Sequence, residues 1–177
     1  MRYLPFTTVL LVTLMIAFTG CGELLKEHLN LKLGYPVEQT FKVPAFDQTG
    51  YHEFAQFVLS SDVTEFLEDN NVDYSTFDRA TISEVTLTIL TPGVSFDILS
   101  DVKVEVELEG QRHALAVVEI PEGETTELTV PVTDELNVAT LLQKESATFY
   151  ISGTLEKPLE VETEIQARVK YELALGL

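Results

Sequence analysis

VKVEVELEG, residues 102–110, is the stretch that decides the fold. An aliphatic residue alternates with a charged one at every step, which is the period of a β-strand with one buried and one solvated face. Gly110 then ends the strand. So regular an alternation identifies a strand, and the same period indicates strands elsewhere in the chain.

The period of two recurs on both sides of this stretch. Val85, Leu87 and Ile89 alternate with polar residues until TPG, residues 91–93, interrupts them. A hairpin connection is predicted at 111–113, between residues 102–109 and the next strand. Further strands are predicted at 53–60, 114–120, 126–132, 147–152 and 159–172, with two short strands or one bent edge strand within 31–46.

Two segments depart from this period and favour short helices. Asp62 precedes Val63, Phe66 and Leu67, which share one helical face, and Glu65 completes a capping-box spacing. Asn70 and Asn71 tolerate left-handed geometry and end the helix. Residues 134–142 favour a second helical turn. We expect both to close an end of the domain.

Counting gives seven to nine strands, few helices and no alternation of strands with helices. This pattern predicts an all-β, antiparallel β-sandwich of immunoglobulin-like character, with one or two short end-capping helices. The cysteine pair and tryptophan of antibody domains are absent, since the chain has one Cys and no Trp. The prediction therefore concerns architecture.

The N-terminal segment is of a different kind. Arg2 precedes an apolar run at 4–18, and the only cysteine, Cys21, follows a small residue. The run has the length of a signal-peptide core and is shorter than the ~20 residues that span a bilayer. An ordinary secretory signal, an uncleaved anchor and a buried helix are the alternatives.

Residues Phe18-Thr19-Gly20-Cys21 resemble the lipobox of bacterial lipoproteins, with Phe18 where Leu is usual. The resemblance implies a diacylglyceryl group on Cys21, a signal peptide at 1–20 and a lipid-anchored tether at 21–30. The length of the remaining chain predicts one domain at 31–177. Gly22, in place of an inner-membrane retention Asp, favours the outer membrane or cell surface. From Ile82 onward, on the TPG and FDIL segments at 91–93 and 96–99, the chain also resembles small lipoproteins with one sandwich domain.

Composition limits the partners. The chain of 177 residues has a net charge of −18, and the first 20 residues carry Arg2 and no acid. The remainder therefore has 10 basic and 29 acidic residues, a net charge of −19. Such a surface repels phosphate backbones, so no nucleic-acid partner is expected. With Cys21 carrying lipid, no thiol remains for a disulfide or a thiolate site.

The sequence contains no catalytic motif that we recognise. The glycine-flanked serine, the His-Glu-x-x-His helix and the phosphate-binding loop are all missing. His28, His52 and His113 have no ligand spacing, so we expect no enzyme and no cofactor. The weak candidates for calcium are two acidic series, whose ordinary interpretation is a solvated strand face: Glu105, Glu107 and Glu109, and Glu160, Glu162 and Glu164.

The leading hypothesis is a lipid-anchored bacterial envelope protein whose sandwich is a non-enzymatic structural or protein-interaction module. Its partners would be the membrane, through Cys21, and a protein of the envelope. The alternative is a module that binds a small molecule, a lipid or a glycan. It rests on aromatic residues crowded into the first half of the mature chain, although core packing explains most of them: Tyr35, Phe41, Phe46, Tyr51, Phe54, Phe57, Tyr74 and Phe77.

Overall fold

The computed structural model describes residues 31–73, 77–132, 136–144 and 146–175. Its strands are β1 (Leu31–Val43), β2 (Gly50–Ser60), β3 (Phe77–Ile89), β4 (Leu99–Leu108), β5 (Gln111–Glu119), β6 (Glu127–Pro131), β7 (Ser146–Leu155) and β8 (Thr163–Leu175). The helices are α1 (Val63–Asp69) and α2 (Ala139–Gln143), with a 3-10 turn at Phe96–Ile98. The strands form a first sheet, β1-β8-β3-β6, and a second sheet, β2-β7-β4-β5.

All strand pairs are antiparallel, and the two sheets pack face to face. The predicted all-β antiparallel β-sandwich with short helices is thus confirmed. Every connection between consecutive strands passes from one sheet to the other, except the β4–β5 hairpin. This strand order is that of an eight-stranded jelly roll. The jelly roll and the predicted immunoglobulin-like sandwich have the same architecture, two antiparallel sheets packed face to face.

The alternating stretch that predicted the fold lies in β4. Val102, Val104 and Val106 are at most 1% exposed and face the interior, as the period of two requires. From the first sheet, Val169 and Tyr171 of β8 contribute to the same core. The charged residues between the valines of β4 lie on the outer face of the second sheet.

The β4–β5 hairpin was predicted, but its loop was placed wrongly at 111–113. The turn consists of Glu109 and Gly110, whose φ angles are 54° and 78°. Positive φ at both central residues is the geometry of a two-residue hairpin turn, and glycine at the second position adopts it without strain. Gln111 accordingly pairs with Leu108 at the start of β5.

The last strand was predicted to begin at residue 159, which is wrong. Leu159 instead forms an isolated bridge with Phe46, in which each backbone N–H donates to the other's carbonyl oxygen over 2.9 Å. Phe46 lies three residues beyond the end of β1, so residues 44–45 and 160–162 interrupt the pairing, and β8 begins only at Thr163. Val161, expected to be buried, is 49% exposed. At the other end of the chain, residues 31–43 form one continuous edge strand, which tolerates Pro36.

Helix α1 forms as predicted. The Asp62 carboxylate accepts a hydrogen bond from the backbone N–H of Glu65 at 3.1 Å, and Asn71 follows the helix with φ of 56°. Val63 and Leu67 are buried. Helices α1 and α2 and the β4–β5 turn lie at one end of the sandwich, which we call the helix end. The opposite end, formed by segments 90–98, 120–126 and 156–162, we call the loop end.

Candidate functional site

The two acidic series proposed for calcium lie apart. Glu105 and Glu107 belong to β4 in the second sheet, whereas Glu164 belongs to β8 in the first. The other three were predicted to stand on strand faces, and this is wrong: Glu109 lies in the hairpin turn, and Glu160 and Glu162 lie in the connection before β8.

Three of these carboxylates already have partners within the domain. Glu105 forms an ion pair with Lys103 at 2.7 Å, and Glu162 forms one with Lys42 at the same distance. Glu107 accepts a hydrogen bond from the Tyr150 hydroxyl. In the described part of the chain, no three His, Cys, Asp or Glu side chains are grouped so that they could hold a metal ion.

A polar network covers the outer face of the second sheet. Arg112, on β5, places its guanidinium 3.5 Å above the ring of Tyr150 and donates a hydrogen bond to Glu53 Oε2 at 2.5 Å. Tyr150 is only 5% exposed although it points away from the core. The hydrogen bond to the Glu107 carboxylate raises the pKa of Tyr150, and the bond to Glu53 raises the pKa of Arg112. The sequence pattern did not predict this network, because its members are distant along the chain.

An acidic cleft of about 690 Å³ opens at the loop end. Its lining carries six carboxylates and one lysine: Asp97, Asp101, Glu119, Glu122, Glu124, Glu156 and Lys157. Lys157 Nζ lies 3.1 Å from Asp97 Oδ2. Hydrogen bonds from Ser95 and Lys157 lower the pKa of Asp97. The sequence patterns did not predict this grouping, because its carboxylates come from segments far apart along the chain.

The aromatic residues of the first half serve mainly the core. Phe41 stacks on Phe57 with ring centroids 4.6 Å apart, and Phe57 in turn stacks on Phe149 at 5.6 Å. Tyr35 and Phe54 are also buried, whereas Tyr51 is 64% exposed. Tyr74 lies outside the described residues.

A small apolar cavity lies between the sheets near the loop end. Its volume is about 40 Å³, and its lining includes Phe41, Phe54 and Phe96. Sites for small molecules usually measure ~300–1,000 Å³. The binding of a small molecule, lipid or glycan in this half therefore stays a prediction, and it requires a cavity wider than the one seen.

His52 and His113, the two histidines in the described part of the chain, do not converge. His52 Nε2 lies 3.0 Å from the backbone oxygen of Gln48, and its ring packs on Phe46 with centroids 4.8 Å apart. His113 belongs to β5, where it pairs with Val106. His28 lies outside the described residues, as do the predicted signal peptide at 1–20, Cys21 and the tether at 21–30. None of the helices in the described ranges has the length and apolar character needed to cross a bilayer.

Comparison with protein-family models and with curated proteins finds no match. Similar solved structures include the acid-stable capsid of Helicobacter pylori bacteriophage KHP30, with 11% identity and a TM-score of 0.37 over 82% of this chain and 94% of that one. The decameric BFDV capsid protein has 8% identity and a TM-score of 0.42 over 81% and 99%. The Kashmir bee virus particle has 9% identity and a TM-score of 0.38 over 82% and 95%. Similarities at this level carry no functional argument.

Proposed function

We propose that this chain is a lipid-anchored protein of the bacterial envelope, whose jelly-roll domain is a non-enzymatic interaction module. The observation that carries the proposal is the N-terminal segment, in which an apolar core leads to Phe18-Thr19-Gly20-Cys21. One diacylglyceryl group brings two acyl chains, and two chains anchor a protein stably where one does not. The cell surface or outer membrane is the proposed location.

The position of β1 supports a short distance between domain and bilayer. β1 begins at Leu31, so ten residues, 21–30, separate the lipid from the first strand. Ten residues reach at most ~33–36 Å when fully extended. The first strand enters at the helix end, and the acidic cleft lies at the other. Anchoring would therefore keep the start of β1 within ~33–36 Å of the membrane.

Membrane attachment is tested by replacing Cys21 in the full chain. Cys21→Ala removes the acceptor of the lipid, so the protein should leave the membrane fraction or accumulate unprocessed, without incorporating labelled palmitate. Gly20→Ala is the matched control, since the lipobox accepts Gly or Ala before the cysteine, and it should keep both label and membrane attachment. Wild-type protein that carries no label, together with unchanged fractionation of Cys21→Ala, would refute anchoring through this residue.

A further inference from the structure

The outer face of the first sheet differs in charge from the rest of the domain. Five of its outward side chains are basic: Lys32, Lys42, Arg79, Arg168 and Lys170. Six carboxylates accompany them when Glu162, which pairs with Lys42, is included: Glu38, Glu84, Glu127, Glu162, Glu164 and Glu172. The face therefore has a net charge of −1.

The other side chains that the structure describes are strongly acidic. They include four basic and 17 acidic residues, a net charge of −13. On the outer face of the second sheet, Lys103 and Arg112 stand against five carboxylates, a net charge of −3: Glu53, Asp101, Glu105, Glu107 and Glu119. The first sheet thus has the more balanced outer face.

Both ends of the sandwich are acidic as well. The cleft at the loop end carries six carboxylates and one lysine. The helix end carries Lys144 and at least five carboxylates: Asp62, Glu65, Glu68, Asp69 and Glu109. An anionic surface therefore repels either end, or the second sheet, more strongly than it repels the first sheet.

The first sheet is also the sheet to which the tether is attached. β1 begins at Leu31 on the edge of this sheet, ten residues after Cys21. Many outward residues between the charges are threonines, whose short uncharged side chains add no repulsion: Thr40, Thr81, Thr86, Thr88 and Thr129. The lipid would thus hold this face, and not only the end of the domain, within reach of the bilayer.

We propose that the partner of the first sheet is an anionic bilayer surface, on which the anchored domain lies flat with this face toward the lipid. Lys32, Lys42 and Arg168 form ion pairs within the face, so the balance of its charges, and not a set of free cations, decides the orientation. The proposal deepens the proposed function and rests on it, because the anchor is what keeps the domain at the surface.

The thickness of the sandwich makes the choice of face matter. Packed sheets lie ~10 Å apart, and the Debye length is ~8 Å at physiological ionic strength. The charges of the second sheet are therefore largely screened from the bilayer when the first sheet faces it. Each charge close to an anionic membrane changes binding about fivefold, equivalent to ~1 kcal/mol. The difference of two charges between the sheets therefore favours the first sheet by more than about tenfold.

The test maps which face contacts lipid in the full, lipidated chain. Because Cys21 carries lipid and is the only cysteine, one introduced cysteine gives one labelling site. Four single variants place a bimane fluorophore at exposed positions on the edges of the two faces: Thr40→Cys on β1, Thr129→Cys on β6, Val58→Cys on β2 and Val117→Cys on β5. The vesicles contain phosphatidylglycerol and phosphatidylcholine in equal parts, with a nitroxide-headgroup lipid that quenches bimane on contact.

Labels at residues 40 and 129 should be quenched severalfold more than labels at residues 58 and 117. The four positions also distinguish the other orientations, since β1 lies beside β2 and β5 lies beside β6. Four results would overturn the proposal: quenching confined to 40 and 58, quenching confined to 129 and 117, equal quenching at all four positions, or stronger quenching at 58 and 117.

The role of charge has its own matched control. Lys170→Gln removes a basic residue from the first sheet and should lower the ratio of quenching at residue 129 to quenching at residue 117 by up to about fivefold. Lys103→Gln makes the same change of net charge on the second sheet and should keep or raise this ratio. In vesicles of phosphatidylcholine alone, the ratio should fall toward one. Equal losses in the two variants, or a ratio unchanged in phosphatidylcholine, would refute orientation by charge.

The failure of membrane anchoring is a separate outcome. A chain that lacks palmitate and does not float with the vesicles refutes the anchor, and the orientation with it. A chain that carries palmitate and floats, with equal quenching at the four labels, refutes the orientation alone and leaves the anchor in place.

Discussion

The guanidinium of Arg112 and the carboxylate of Glu53 meet at 2.5 Å, although their strands are the two edges of the second sheet. The arginine reaches this partner by lying flat over Tyr150, with Cζ 3.5 Å from the ring centroid. Its contacts therefore connect β5 to β7 and β2 on the outer face of the sheet. The stacking also covers the ring of Tyr150.

Arg112→Ala should lower the urea midpoint of unfolding, because it exposes the Tyr150 ring and leaves Glu53 without this partner. Arg112→Lys should lower it less, since a lysine keeps the charge but lacks the planar group that stacks on an aromatic face. Glu53→Gln should have the smallest effect, because exposed ion pairs contribute little. Equal midpoints for wild type and Arg112→Ala would contradict a stabilising role for the stacking.

Gly153 lies where β7 closely approaches the backbone of β4. A Cβ atom at this position would lie 2.2 Å from the backbone oxygen of Asp101 and 3.1 Å from the Phe54 ring. Because β7 is a central strand, neither neighbour can move away freely. Gly153→Ala should destabilise the domain by at least ~1–3 kcal/mol, the usual cost of overpacking.

Gly34→Ala is the matched control for this glycine. At Gly34, on the edge strand β1, the added Cβ would meet only Lys170 Cε, at 3.6 Å. Its free energy of unfolding in urea should be unchanged or slightly higher, because alanine reduces the freedom of the unfolded chain. A Gly153→Ala variant as stable as Gly34→Ala would show that the two strands separate more easily than the structure indicates.

The sequence predicted the fold where one strand carries its own signal. The spacing of Val102, Val104 and Val106 predicts a half-buried strand from local sequence alone. In the same way, Asp62 predicts the start of a helix, and its hydrogen-bond donor lies only three residues further along the chain. Strand order lacks such a local signal, because pairing of β1 with β8 joins residues more than 100 positions apart. The jelly-roll connectivity therefore emerged only from the structure.

The candidate surfaces were harder to predict, for a related reason. Glu109 continues the alternation of β4 perfectly, yet it lies in the turn, because Gly110 allows a tight two-residue hairpin. A bulge in β5, at Leu115, is invisible in an apolar run such as 114–118. The Arg112–Glu53 pair and the acidic cleft depend on which strands become neighbours, so patterns read along the chain do not reveal them.

The helix start predicted from Asp62 can be tested by substitution. Its carboxylate accepts the backbone N–H of Glu65, so Asp62→Ala should cost about 1 kcal/mol of unfolding free energy. Asp69→Ala, at the last residue of α1, is the control. A negative charge there opposes the helix dipole, so its removal should be neutral or slightly stabilising. Chemical denaturation measures the unfolding free energy of both variants. An equal loss of unfolding free energy in Asp62→Ala and Asp69→Ala would contradict a capping role for Asp62.

Tyr171 should make the domain sensitive to alkali. Its side chain is 1% exposed, and burial raises its pKa above the ordinary value. A raised pKa in the folded state means that the folded chain keeps the proton after the unfolded chain has lost it. The stabilisation is complete below about pH 10, the pKa of an unfolded tyrosine, and declines above it, by up to ~1.4 kcal/mol per pH unit.

Tyr171→Phe removes this ionisation from the unfolded state. Its unfolding free energy should therefore fall less steeply than that of the wild type between pH 10 and 12, whatever the substitution does to stability at pH 7. Urea unfolding at a series of pH values, followed by circular dichroism, measures both slopes. Identical slopes for Tyr171→Phe and the wild type would mean that Tyr171 ionises in the folded domain as readily as in the unfolded chain.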